Sequence, residues 1–387
     1  MKKLFIWLFI GLSLFPLSVH AEEVTDTTLA TNSRSAILIE NTTGKVLFEK
    51  NADERVAIAS LTKMMSQIII LEQIEAGKLT WDEMVKVSAN AAGYGGTQIY
   101  LQPGEEMSVE DLFKGVSMAS ANDAVVALAE RVAGSEAEFV KMMMSKANEL
   151  GLKNTNFVNP TGLDEENHYS TARDLALIAQ ELLIHEKILE FSSLYEDYLR
   201  EDTPNKFWLV NTNKLVRTYP GADGLKTGFT DAAMYCMAVT AKRDGMRLTA
   251  IVLGEEVSKT RNAETTALLD YGFNTYQVDI IKTKDTVVDE MKIERGNIDK
   301  VDVVVGEEIS ILRKKTEQAK QYQEKIVLSP VQLPIKKGSV VGKLELFDNE
   351  QLVGSYDLIV NQDVEKKNFL SIFWDNVKDI VVGQLVF

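Results

Sequence analysis

Residues 234–253 read MYCMAVTAKRDGMRLTAIVL. Two apolar runs, 234–241 and 246–253, flank Asp244-Gly245, a dipeptide that accepts the positive φ angles of a two-residue hairpin turn. The stretch therefore predicts a pair of long antiparallel strands. Working outward, residues 36–39 and 46–48 are shorter strand-like runs around Asn41-Thr42-Thr43-Gly44, a second hairpin signal. Between these strand-rich ends the apolar spacing turns helical. It does so over 58–75, from the cap-like Ser108-Val109-Glu110-Asp111 to about Met118, over 123–132, and from Thr171-Ala172-Arg173-Asp174 to about Ile184. Strands at both ends with helices between them predict one antiparallel sheet built from both ends of the region, with a helical cluster beside it.

The chain has 387 residues, which favours two folded domains. The first is expected over 22–275, with 268–273 near its end. From about 278 to 359 the pattern changes to short β-branched runs, such as 301–305 and 340–346, broken by glycines and charged pairs. That predicts a separate small all-β domain of the sandwich kind, over 276–365.

Both ends look different from the domains. Lys2 and Lys3 precede an apolar run at 4–17, and Val19-His20-Ala21 then precedes Glu22. This pattern predicts a secretory signal peptide over 1–21. The apolar run is shorter than the ~20 residues of a membrane span. At the other end, over 366–387, Leu370, Phe373, Trp374, Val377, Ile380, Val381 and Leu385 fall on one helical face, opposite Ser371, Asp375, Lys378 and Asp379. An amphipathic helix in a membrane interface is expected, with packing on its own domain as the alternative. The expected location is the cell envelope, peripheral on the outer face of the cytoplasmic membrane.

Composition excludes other chemistries. Lys plus Arg is 42 against 57 Asp plus Glu, a net charge of −15. Such a surface repels phosphate backbones, so nucleic acid is not an expected partner. One cysteine, Cys236, rules out an internal disulfide or a multi-cysteine metal site, and three histidines leave little for a His-rich centre. No metal or cofactor is expected.

Nucleophilic chemistry is a better fit. Ser60-Leu61-Thr62-Lys63 opens the first long helix. Residues three apart share a helical face, so the Lys63 amine can reach the Ser60 hydroxyl. A serine is a weak nucleophile until a base takes its proton. Lys63 can be that base if burial and a second nearby cation hold it neutral. Ser120-Ala121-Asn122 falls in a short turn between two helices, where the serine can relay a proton and the amide can hold a substrate backbone. A second Ser-Ala-Asn begins at Ser88, at the edge of a glycine-rich stretch; Ser120 is preferred because helices on both sides hold it. Lys226-Thr227-Gly228 opens a strand-like stretch. Its cation and hydroxyl can bind a carboxylate, and its glycine is expected to leave room for an extended substrate. That triplet arises by chance roughly once in several thousand positions.

In this order the three motifs resemble the serine penicillin-recognising enzymes. Residues 159–163 (NPTGL), 168–174 (HYSTARD) and 224–230 (GLKTGFT) are similar to those of low-molecular-mass D-alanyl-D-alanine carboxypeptidases, as are the β-domain and the tail. The resemblance covers essentially the whole chain. It implies an α/β catalytic domain of the penicillin-binding/β-lactamase type, and a peptidoglycan stem peptide ending in D-Ala-D-Ala as substrate. β-Lactams would act as covalent inhibitors. It implies that Ser60 attacks, Lys63 is the base, Ser120 passes the proton to the leaving amine and Asn122 holds the peptide. Lys226 and Thr227 would meet the terminal carboxylate, Arg261 would be an additional carboxylate-binding arginine, and the backbone amides of Ser60 and Phe229 would form the oxyanion hole. Phe229 stands where some relatives carry histidine.

Other readings remain open at this point. A β-lactamase would add a deacylating glutamate, but Asp164, Glu165 and Glu166 lack the Glu-x-x-Leu-Asn context. A D,D-endopeptidase shares every motif. A non-enzymatic wall scaffold would have no need to bring Ser60, Lys63, Ser120, Asn122 and Lys226 together.

Overall fold

The Asp244-Gly245 hairpin forms with both turn residues at positive φ, 48° and 80°. It joins Met234–Arg243 to Met246–Glu255, with Arg243 opposite Met246. The computed structural model describes residues 28–368, so the signal-peptide reading and nearly all of the terminal-helix reading lie outside the described residues.

The hairpin is the centre of a five-stranded antiparallel sheet. Its order is Val46–Lys50, Ser35–Glu40, Met246–Glu255, Met234–Arg243, Ala222–Thr230. The first strand among the described residues lies beside a strand more than 200 residues later, with Ile37 opposite Ile251. Alternation sends the two sides of each strand into different cores. Ile37, Ile39, Ala238 and Ile251 face the helical cluster. Leu38, Val239, Leu248 and Val252 face Leu268, Leu269 and Phe273 of the helix Ser258–Thr275. That helix packs closely because Gly272 has no side chain; a Cβ there would lie 2.5 Å from Leu248.

The helix Lys63–Glu75 runs through the middle of the cluster, buried along its whole first half. Such a helix needs neighbours on every side. One tie is Lys146, whose ammonium is nearly buried and lies 2.5 Å from Glu72 and 3.1 Å from Glu181. It joins three helices and avoids an unpaired buried charge. The expected caps form: Ser108 Oγ accepts from Asp111 N and Thr171 Oγ1 from Asp174 N. After Val109–Lys114, however, the helix widens into a π turn, Gly115–Ala119.

The helix Ser258–Thr275 passes directly into the strand Tyr276–Lys282. A second five-stranded antiparallel sheet follows, ordered Val287–Lys292, Lys300–Val305, Gln351–Val360, Val340–Asp348, Gln323–Leu328. Val301, Val303, Val305, Leu344, Leu346, Leu358 and Val360 form its core. Pairing continues to residue 367, whose N–H donates to Arg295 O. Among the described residues, no helix is long and apolar enough to cross a membrane.

Candidate active site

Ser60 sits in a 3₁₀ turn, Ala59–Thr62, that feeds the central helix. The preceding Ala59 is left-handed, at φ 47°. Lys63 is fully buried, and its amine meets three oxygens: Ser60 Oγ at 3.0 Å, Asn122 Oδ1 at 2.6 Å and Thr161 O at 2.7 Å. The last two can only accept, whereas the serine hydroxyl can also donate. A neutral amine has two hydrogens and one lone pair. The two acceptors take the hydrogens, and the lone pair is left facing the Ser60 proton. Burial, then the nearby Lys226 cation, hold Lys63 well below its usual range, with Asp123 opposing. The arrangement favours a base before substrate arrives.

Ser120 follows the π turn and is itself left-handed, at φ 64°. Both features are frequent at functional positions, where surrounding packing sustains the strain. The Ser120 hydroxyl is buried without a hydrogen-bond partner among the described residues. Two residues on, Asn122 donates through Nδ2 to Gly95 O at 2.7 Å while Oδ1 holds Lys63. Asn122 thus holds the Lys63 amine, with one amide hydrogen left over. The other Ser-Ala-Asn is a helix cap, Ser88 Oγ accepting from Ala91 N.

Lys226, Thr227 and Gly228 lie in the middle of the strand Ala222–Thr230 and do not open it. The strand is at the sheet edge, and no described strand pairs with its outer side, the arrangement to which an extended peptide can add. Gly228 does something different from what was expected of it. A Cβ there would stand 3.0 Å from Ser60 N, so the missing side chain admits the turn that carries Ser60. That contact sets Ser60 N–H beside the strand carrying Phe229, as an oxyanion hole from these two amides requires. Phe229 is half exposed and rests on Tyr235 at 4.4 Å.

Lys226 is buried and falls to about 7, first through burial and then through the Arg261 cation; no carboxylate opposes the shift. Arg261 is also mostly buried. It bonds Asn262 Oδ1 and lies 5.9 Å above the Tyr235 ring. Two neighbouring cations with no counter-ion among the described residues suit an anionic ligand.

Sequence reasoning missed the wiring behind these groups. Asn159 Oδ1 accepts from Thr161 N, Thr161 Oγ1 and Gly162 N, forming the turn that aims Thr161 O at Lys63. The run Asn159-Pro160-Thr161-Gly162 carried the signal of an Asx turn. Asp164, weighed among acids for deacylation, accepts from Thr230 Oγ1 and Ala232 N; it clasps this loop to the end of the Lys226 strand. Asp123 is a buried acid that accepts backbone N–H groups of Ile99 and Leu101.

Gly162 is the tightest joint. Its φ is 81°, and a Cβ would stand 1.9 Å from Ala59 O. Gly162→Ala should therefore cost about 3 kcal/mol or more. The expected outcome is a lower urea midpoint together with loss of penicillin acylation. An unchanged midpoint would contradict the packing described.

The profile of the D-alanyl-D-alanine carboxypeptidase family matches residues 21–257, and that of the penicillin-binding protein 5 C-terminal domain matches residues 276–366. The D-alanyl-D-alanine carboxypeptidase DacF of Bacillus subtilis (strain 168) is 44% identical over 376 residues, covering 96% of this chain and 97% of that one. The chain belongs to the D-alanyl-D-alanine carboxypeptidase family. Another member, DacC of Escherichia coli (strain K12), is 36% identical over 95% of this chain and 92% of its own length. Among solved structures, penicillin binding protein 5 from Haemophilus influenzae aligns with a TM-score of 0.68 and 29% identity, over 87% of this chain and 98% of that one. Penicillin-Binding Protein D2 from Listeria monocytogenes in its cefotaxime-bound form aligns with a TM-score of 0.57 and 34% identity, over 62% of this chain and 97% of that one. This family member therefore matches DacF and DacC along nearly its whole length, and the D2 structure over a shorter part.

Proposed function

We propose that the protein is a serine D-Ala-D-Ala carboxypeptidase that removes the terminal D-alanine from peptidoglycan pentapeptide stems, and that penicillins acylate the same serine. The buried amine of Lys63, held by two acceptors with Ser60 Oγ 3.0 Å away, carries this reading. Ser60 Oγ attacks the penultimate D-alanine carbonyl and its proton passes to Lys63. The amides of Ser60 and Phe229 hold the developing oxyanion. Ser120 relays that proton from the Lys63 ammonium to the leaving nitrogen, the C–N bond breaks and D-alanine departs, which returns Lys63 to its neutral form. Water then attacks the Ser60 ester and regenerates the hydroxyl. Mass spectrometry after incubation with a D-Ala-D-Ala pentapeptide should show loss of one alanine. A cross-linked muropeptide dimer run alongside tests endopeptidase cleavage.

Lys226, Thr227 and Arg261 bind the terminal carboxylate in this reading. Lys226→Ala should slow turnover of a peptide acid about tenfold or more relative to its C-terminal amide. Equal slowing of both would remove the carboxylate role. Lys226 loses its charge as pH rises through about 7. The wild-type preference for acid over amide is therefore expected to weaken on the alkaline side and to be flatter with pH in Lys226→Ala.

The location is read from the ends of the sequence. A cleaved signal peptide exports the chain, and the terminal amphipathic segment attaches it to the outer face of the membrane. The apolar face carries two aromatic and five aliphatic side chains, and each buried methylene contributes about 0.8 kcal/mol. Asp375 and Asp379 offset Lys378 and its neighbours. Attachment should therefore survive a high-salt wash and yield to detergent. Deleting residues 369–387 should release active protein. Release of the full chain by salt alone would point to an electrostatic attachment.

A further inference from the structure

The turn that presents Ser60 is held by a chain of hydrogen bonds whose direction can be worked out. Thr62 Oγ1 lies 2.9 Å from Ala59 O, a carbonyl that can only accept, so the Thr62 hydroxyl is the donor. That hydroxyl also lies 2.8 Å from His168 Nε2. On the other side of the ring, the backbone N–H of Val158 points at His168 Nδ1 over 3.2 Å, and a peptide N–H can only donate. Nδ1 must therefore be the unprotonated nitrogen and Nε2 the protonated one. The bonds run one way: Val158 N–H to Nδ1, Nε2–H to Thr62 Oγ1, Thr62 O–H to Ala59 O.

The chain ends on the left-handed residue directly before the nucleophile. The His168 ring is nearly buried and meets Phe157 edge-on at 5.8 Å. Burial lowers it to about 4, with only Asp164 opposing, so it keeps one tautomer at neutral pH. His168 lies more than 100 residues from Ser60 in sequence, and its ring bonds Thr62 and the Val158 N–H rather than Ser60, Lys63 or Ser120.

We propose that His168 is a positioning residue for acylation: acting through Thr62, its Nε2–H holds the Ala59 carbonyl and so fixes the kink that aims the Ser60 hydroxyl and amide. The proposal rests on Ser60 being the nucleophile. If wild-type protein gives no penicillin adduct, that broader reading fails; if wild type reacts and the variants below do not behave as stated, only the role of His168 fails.

The test is the second-order rate of penicillin acylation, followed by intact-mass spectrometry, in His168→Leu, His168→Gln, Thr62→Val, Thr62→Ser and the double variant His168→Leu/Thr62→Val. Glutamine places an amide N–H near the Nε2 position, and serine keeps the hydroxyl. His168→Leu and Thr62→Val should each react about tenfold more slowly, the scale of one lost buried hydrogen bond. The double variant should be no slower than the slower single one, because both break the same chain. His168→Gln and Thr62→Ser should recover to within about threefold of wild type. For the peptide substrate the loss should fall on kcat, with KM unchanged, because the network does not touch the ligand. Should His168→Leu not fold, the glutamine and Thr62 variants carry the test. His168→Gln as slow as Thr62→Val, singles that add fully in the double variant, or Thr62→Val at the wild-type rate would each overturn the proposal.

Discussion

Ser60→Ala is expected to remove covalent labelling by penicillin altogether and to cut peptidase turnover at least about 10⁴-fold, the scale seen when a catalytic nucleophile is deleted. Wild-type protein should gain the mass of one β-lactam per chain. A β-lactam offers a strained amide and a carboxylate to the groups proposed above to meet a D-Ala-D-Ala terminus: Ser60 beside the edge strand, and the Lys226 and Arg261 cations. The substitution removes one oxygen from a turn whose shape is set elsewhere, by Ala59 O, Thr62 and Gly228. Folding should therefore be nearly unaffected, and the thermal midpoint should stay close to that of wild type. An adduct on Ser60→Ala protein would move the nucleophile to another residue.

Lys63→Ala is expected to slow acylation roughly 10²-fold or more through loss of the base. Part of the effect is indirect. Without the amine, Asn122 Oδ1 and Thr161 O lose their shared donor, leaving buried acceptors unsatisfied. Lys63→Ala should therefore also lower stability, unlike Ser60→Ala. The pH dependence gives a second check. Lys63 must be neutral to accept a proton, and burial with the Lys226 cation holds it well below its usual range. Acylation in wild type should rise with pH through that lowered value and, for a ligand with a carboxylate, decline again as Lys226 loses its charge through about 7. Removing the positive charge, as in Lys226→Ala, relieves the repulsion and should move the rise to higher pH. A wild-type profile that rises only near the ordinary lysine range would mean that Lys63 is charged at neutral pH and is not the base.

Much of this was legible locally. Asp244-Gly245 placed the hairpin because a two-residue turn with positive φ accepts few dipeptides. Ser108 and Thr171 marked helix starts because their side chains satisfy N–H groups that helices leave open. The pair Ser60 and Lys63 was readable because three residues along a helix return to the same face. What sequence reading got wrong was spatial. Gly228 was expected to make room for substrate, and the space holds the Ser60 turn. Lys226 was read as the opening of a strand and lies at its centre. The π turn before Ser120 had no marker in residues 115–119, because helix propensity does not separate α from π.

The sequence by itself determined the antiparallel sheet built from both ends of the first domain, the helical cluster and the separate β-domain, and it marked Ser60, Lys63, Ser120, Asn122 and Lys226 as candidates. Each of these depends on periodicity, turn chemistry or short spacing, which act over a few residues. Only the tertiary structure decided what state those groups are in. Whether Lys63 is a base depends on how deeply it is buried, on a lysine 163 positions away and on a carbonyl at Thr161. The partners of His168 follow from a loop folding back on Thr62. Solvation, Coulomb fields and hydrogen-bond direction depend on distances in space, and packing brings together residues that the sequence keeps a hundred or more positions apart.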